Sequence, residues 1–156
     1  MNDHLGDGAF PSSDLTGWEE MAVAVMDALG REGLTRRELP HALEVSLVDD
    51  ATIADIHQDF MKIPGPTDVI TFPYGELGEI FIGVETARRQ AREFGRTLPQ
   101  EISLYLIHGI LHLAGYDDQT DDGASEMDAL QEDLLTQYGK GMDTIHTDPK
   151  GPDSVD

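Results

Sequence analysis

The chain has 156 residues, enough for one domain with a single buried core. The absence of cysteine excludes disulfides, thiolate zinc sites and a cysteine nucleophile, and it agrees with a reducing cytoplasm, where we expect the protein to act. The formal net charge of −21 excludes a uniformly basic nucleic-acid-binding surface, so contact with a polyanion would depend on local clusters of bases.

The N-terminal third predicts a tail, a helix, a strand and a second helix. Residues 1–14 are polar, acidic and rich in Gly, Pro and Ser, so we expect a flexible tail and no signal peptide. Residues 14–33 carry apolar side chains every three or four positions, which predicts a helix. Apolar and polar side chains alternate over residues 41–50, which predicts a strand. Asp50 is expected to cap a helix over 51–60.

The middle of the chain predicts a loop, two strands and a third helix. Residues 61–66 hold two prolines and a glycine and should form a loop. The β-rich stretches 67–74 and 78–84 follow, separated by a glycine-containing turn. The helix predicted at 85–95 should stop at its terminal glycine.

A central apolar helix is the most distinctive predicted element. Pro99 should open it and Gly115 should end it, and its nearly uniform apolar composition predicts burial on most sides. An acidic amphipathic helix is expected at 120–139. We therefore predict one α+β domain over residues 15–140, with flexible acidic tails at 1–14 and 141–156 and no membrane contact.

The central helix ends in the sequence HGILHLAGYDD, which has the spacing of a metal site. His108 and His112 are four residues apart, so a helix places both imidazoles on one face. Gly115 lets the chain bend back past that face, and Asp118 follows as a third ligand. Three protein ligands are typical of catalytic zinc. A histidine pair at this spacing is also common as a structural feature, so the glycine and the carboxylate are what favour a metal.

The same segment resembles the signature His-Gly-x-Leu-His-Leu-x-Gly-Tyr-Asp-His of the YbeY family, bacterial rRNA-maturation endoribonucleases. The stretches PTDVITFPYG, LGEIFIG and EMDALQ resemble other family segments, and the resemblance spans about residues 40–138. It implies an α+β fold with a small mixed sheet and a zincin-like, metal-bearing central helix. It also implies one Zn²⁺ per chain, single-strand-specific RNA cleavage in rRNA maturation and ribosome quality control, and rRNA, ribosomal proteins or the small subunit as partners.

The sequence differs from the family motif at the third ligand, which is normally a histidine and here is Asp118. An aspartate lowers the net charge around a divalent ion by one unit and should make bound water less acidic. A two-histidine, one-carboxylate set would also suit ferrous iron. Asp117 is an alternative ligand, which we interpret instead as an acceptor behind the ligands or a helix cap.

A second departure concerns substrate contacts in the loop. The family carries an arginine where this chain has Met61, and the adjacent Lys62 is our candidate for a substrate-binding, catalytic cation. A lysine lacks the bidentate contact that arginine makes to phosphate. His57 occupies a family asparagine position, although a surface helix histidine is the favoured interpretation.

Other residues are expected to bind or frame the RNA. Arg88, Arg92 and Arg96 are spaced as one face of a helix and could contact the RNA backbone, although a solvated surface would show the same pattern. Thr67 and Asp68 are expected to shape the loop beside the cleft.

Gly109 stands where zinc proteases with His-Glu-x-x-His keep the glutamate that activates water. A metallopeptidase with this site would lack its base, which makes that activity the second hypothesis. RNA cleavage does not require that glutamate, because the attacking group can be water or the ribose 2′-hydroxyl. The sequence does not choose between these two attacking groups. A third hypothesis is a non-catalytic ribosome-associated factor that kept the fold.

Overall fold

The structure, a computed structural model, describes residues 1–5 and 10–139. In chain order the described residues form β1 (Asn2–Asp3), α1 (Ser12–Arg31), β2 (Ala42–Val48), α2 (Asp50–Met61), β3 (Val69–Tyr74), β4 (Leu77–Gly83), α3 (Val84–Phe94), α4 (Leu98–Leu113) and α5 (Asp121–Tyr138). The sheet has the order β1-β2-β4-β3, and its first three strands are parallel while β3 runs antiparallel at the edge. The predicted α+β fold with a mixed sheet is confirmed.

The N-terminal segment corrects one prediction. Residues 1–14 were expected to be a flexible tail, but Asn2–Asp3 pairs with β2 and α1 already begins at Ser12. Phe10 is buried and packs edge-on against Trp18, with ring centroids 5.4 Å apart. Neither a two-residue strand nor a single buried aromatic ring produces a recognisable pattern in a segment rich in Gly, Pro and Ser. The predicted C-terminal tail, 141–156, lies outside the described residues.

Side-chain caps fix the starts of α2 and α4. Asp49, one residue before the predicted cap, begins α2 by accepting the Thr52 N–H at 2.8 Å. Thr97 and Gln100 form a reciprocal capping box at the start of α4, in which each side chain bonds the other residue's backbone N–H. This satisfies N–H groups that a helix start leaves unpaired, so the central helix begins at a defined residue.

The central helix α4 lies in the middle of the hydrophobic core, as its composition predicts. It packs against α1, α3, α5 and the strands β3 and β4. The opposite face of the sheet is covered by α2, through a small cluster built around Val48, Ile53 and Ile70. Among the described residues, no helix has both the length and the apolar character needed to cross a bilayer. The core therefore surrounds the last turns of α4, where the candidate site lies.

Candidate metal centre

Three side chains converge at the C-terminal end of α4. The Nε2 atoms of His108 and His112 are 3.0 Å apart. The Asp118 carboxylate lies 3.6 Å from the first imidazole and 3.8 Å from the second. All three ligand atoms lie within 4.8 Å of one another, close enough to hold one metal ion. The structure thus brings together the three residues that the sequence suggested.

Each imidazole is oriented by a partner on its other nitrogen. His112 Nδ1 lies 3.1 Å from the Tyr116 carbonyl oxygen, and His108 Nδ1 contacts the Gln131 amide oxygen. Because these oxygens can only accept, we assign the proton of each neutral ring to Nδ1. The two Nε2 lone pairs then face each other at 3.0 Å, which is repulsive unless a cation lies between them. The donor set therefore fits a metal ion.

The protonation state of His112 agrees with a ligand role. Burial lowers the pKa of its imidazole below the ordinary value, and the neighbouring His108 lowers it further, while the charge of Asp118 acts in the opposite direction. Histidine binds metal as the neutral imidazole. The environment of His112 thus favours the form that a metal requires.

Asp118 reaches the histidines because the chain turns sharply after α4. Gly115 has φ +101°, a conformation that L side chains rarely adopt, and a Cβ there would lie 2.9 Å from Arg36 Cβ. Asp117, the alternative ligand, instead accepts the Gln119 N–H at 2.8 Å and stabilises the turn before α5. The geometry therefore favours Asp118 over Asp117.

Gly109 faces the sheet rather than the metal centre. A Cβ at this position would lie 2.8 Å from Ile80 Cδ1 and 3.2 Å from Thr71 Cγ2. The glycine allows α4 to pack closely against β3 and β4. Any side chain at position 109 would require Ile80 and Thr71 to shift, so the packing disfavours a glutamate there.

The loop residues singled out from the sequence are engaged locally. Lys62 ends α2 with φ 60° and donates its ammonium to the Asp59 carbonyl at 3.0 Å. His57 Nδ1 lies 3.0 Å from the Gly65 carbonyl oxygen and holds the loop to α2. Asp68 accepts the Val69 N–H at 2.8 Å and the neighbouring Thr67 hydroxyl at 3.3 Å. These contacts shape the loop, and the catalytic role of Lys62 stays a prediction.

The predicted three-arginine helix face is wrong. Helix α3 ends at Phe94 and Gly95 adopts φ 69°, so Arg96 lies beyond the helix. Its guanidinium bridges Glu101 at 3.3 Å and Glu132 at 2.7 Å. Burial raises the pKa of Glu101, and the charge of Arg96 opposes that rise. Arg96 therefore compensates a buried carboxylate, and the RNA-binding role of Arg88, Arg92 and Arg96 stays a prediction.

Sequence reasoning missed Gln131. It is buried on α5, on the inward face that also carries Met127 and Leu134. A polar residue among apolar ones at helical spacing is a usable sequence signal, since a buried amide needs a partner. That partner is the His108 ring.

Replacing Gln131 by leucine is expected to weaken metal binding by about 10- to 100-fold, the range typical of residues that orient a ligand from behind. The leucine keeps the volume but leaves the His108 ring free to rotate. Chelator competition measures the affinity, and Gln137→Leu, at an exposed position of the same helix bonded to Asp133, is the matched control. Equal affinities in the two variants would show that Gln131 does not hold the ligand in place.

Comparisons with known proteins point to one family. The family model described as Endoribonuclease YbeY matches residues 11–139. The chain is 41% identical to Endoribonuclease YbeY of Myxococcus xanthus, over 69% of this chain and 40% of that relative, and 36% identical to the Mycolicibacterium gilvum protein of the same name, over 78% and 79%. A Thermotoga maritima protein solved in solution is similar in structure, with a TM-score of 0.58, 26% identity, and coverage of 96% of this chain and 97% of the other.

Proposed function

The chain belongs to the YbeY family of endoribonucleases, which are hydrolases involved in rRNA maturation. We therefore propose that it cleaves single-stranded rRNA with a zinc ion held by His108, His112 and Asp118. The observation that carries the proposal is the convergence of two Nε2 atoms and one carboxylate on a common point. Family membership supports RNA as the substrate class. Single-strand specificity and ribosome quality control are parts of the same proposal.

Zinc is the proposed ion because two imidazoles, one carboxylate and an open position are a usual catalytic zinc set. When bound, the metal would supply a Lewis acid that polarises a phosphoryl oxygen or lowers the pKa of water. The same ligands also suit ferrous iron, so other divalent ions are alternatives within the proposal.

The chain's own residues supply orientation and charge. Gln131 and the Tyr116 carbonyl set the ring planes, and Asp118 adds a negative charge opposite two neutral rings. Position 109 provides no general base, so a proton from the attacking group must pass to solvent or to another side chain. The attacking group, water or the ribose 2′-hydroxyl, stays open.

Ribosomal partners are a further part of the proposal, supported by family membership and by the acidic charge of the chain. The exposed face of α5 carries acidic side chains at Asp121, Asp122, Glu126, Asp128, Glu132 and Asp133. Such a surface repels RNA and attracts basic protein surfaces. We therefore expect α5 to face a ribosomal protein of the small subunit rather than rRNA.

The test is cleavage of precursor rRNA by purified protein. We expect cleavage at single-stranded positions, its loss after metal removal by a chelator, and its return with zinc. Labelled duplex RNA and casein serve as comparison substrates. Casein turnover without RNA cleavage would favour the metallopeptidase hypothesis, and co-sedimentation with ribosomal subunits without any cleavage would favour a non-catalytic factor.

A further inference from the structure

A cavity of about 480 Å³ opens beside the metal centre, and it contains two arginines that the sequence analysis did not single out. His112, Thr71 and Tyr116 line it together with Arg36 and Arg37. Resting on the proposed function, we propose that Arg37 binds a phosphate of the RNA substrate next to the cleavage site. In a chain of net charge −21, an arginine that lines a cavity adjoining a metal ligand is a candidate contact for an anion.

The position of Arg37 is fixed by the metal helix itself. The backbone N–H groups of Arg36 and Arg37 both donate to the Ala114 carbonyl, at 2.8 and 3.0 Å. The Arg37 guanidinium donates to the His112 carbonyl at 2.7 Å. One N–H of the guanidinium is thus bound to the backbone of His112, whose side chain is a proposed metal ligand. Arginine has five N–H donors, so this bond leaves others available for a phosphate oxygen.

Arg36 is less suited to the same role. Its guanidinium stacks over the Tyr116 ring, 4.2 Å from the centroid, and forms an ion pair with Glu126. The first contact holds the guanidinium against the turn after α4, and the second holds it against α5. Asp117 also lines the cavity and adds negative charge, so a phosphate bound there would depend on direct hydrogen bonds from Arg37 rather than on a general basic field.

The inferred ligand is a phosphodiester of single-stranded RNA, contacted independently of base sequence. Backbone contacts of this kind position a nucleic acid and make binding dependent on salt. Arg37 would therefore set substrate affinity and register, while the metal ligands set the chemical step. This division predicts an effect on KM that is separable from kcat.

The experiment compares three substitutions at one position. Arg37→Ala removes the cation, Arg37→Gln removes the charge but keeps an N–H donor for the His112 carbonyl, and Arg37→Lys keeps the charge. Arg31→Ala, an exposed arginine of α1 paired with Asp27, is the matched control with the same change in net charge. Steady-state cleavage of a single-stranded RNA oligonucleotide gives KM and kcat, fluorescence anisotropy gives RNA affinity against salt, and elemental analysis gives metal content.

We expect Arg37→Ala and Arg37→Gln to raise KM about tenfold, as for loss of one charge-assisted contact, with kcat changed by no more than about threefold. The slope of log affinity against log salt should fall by about 0.7. Arg37→Lys should lie between these variants and wild type, and Arg31→Ala should match wild type.

Other outcomes would overturn the assignment. Wild-type KM in Arg37→Gln, or loss of metal together with activity in Arg37→Ala, would show that the arginine only caps the His112 carbonyl. Arg37-dependent RNA binding by a wild-type protein that cleaves nothing would support the phosphate contact while refuting the proposed endonuclease. A wild-type protein that neither binds nor cleaves RNA would refute both.

Discussion

Replacing His112 by alanine is expected to lower kcat for RNA cleavage by at least about 1,000-fold, because a metal ion contributes several kcal/mol to stabilising the charge that develops at a phosphoryl group. The substitution removes one of the two Nε2 atoms that face each other at 3.0 Å and leaves an incomplete ligand set. Zinc should then no longer raise the melting temperature, since a ligand stabilises only the state that binds it. Single-turnover cleavage and thermal unfolding with and without zinc measure the two effects.

His41→Ala is the matched control for that experiment. His41 is an exposed histidine beside Glu76, outside the metal cluster, and its loss should leave both cleavage and the zinc-dependent melting shift at wild-type values. Cleavage that persists at the wild-type rate in His112→Ala would remove the cluster from the mechanism.

Replacing Gly109 by glutamate is expected to destabilise the fold by several kcal/mol rather than to create a peptidase. The substitution restores the His-Glu-x-x-His pattern, but the new Cβ would lie 2.8 Å from Ile80 Cδ1 in a fully buried contact. A carboxylate placed there would be desolvated between α4 and the sheet, in addition to the strain of overpacking. Urea unfolding measures the loss, and casein turnover tests for peptidase activity.

Gly30→Glu provides the comparison for Gly109→Glu. Gly30 lies near the end of α1, is exposed, and has no atom within 4 Å of a Cβ at that position. Its replacement should change the free energy of unfolding by less than about 1 kcal/mol, the scale of helix propensity. If Gly109→Glu proved as stable as Gly30→Glu, position 109 would have room for a side chain, and packing would not explain the missing glutamate.

The parts of the site that follow from local rules could be read from the sequence. Helical spacing places His108 and His112 on one face, and a glycine with positive φ returns Asp118 to them within a single turn of chain. The burial of α4 follows from its composition in the same way. Such inferences need only the geometry of one helix and one turn.

The parts that depend on distant contacts could not be read in this way. Arg37 reaches His112 across 75 positions of sequence, and the ring of His108 meets Gln131 from another helix. The predicted three-arginine face is wrong for a local reason. Gly95 adopts a left-handed conformation that ends α3, so Arg96 lies beyond the helix. Long-range packing decides which groups meet Arg37 and Gln131, and no period within the sequence encodes those pairings.

Metal content tests the proposed ligand set most directly. Elemental analysis of wild type, Asp118→Ala and Asp117→Ala separates the proposed ligand from its neighbour, which bonds the Gln119 N–H instead. We predict about one zinc per chain in wild type and in Asp117→Ala, as for a single site with three protein ligands, and a clear loss in Asp118→Ala. Full zinc content in Asp118→Ala, or its loss in Asp117→Ala alone, would contradict the proposed ligand set.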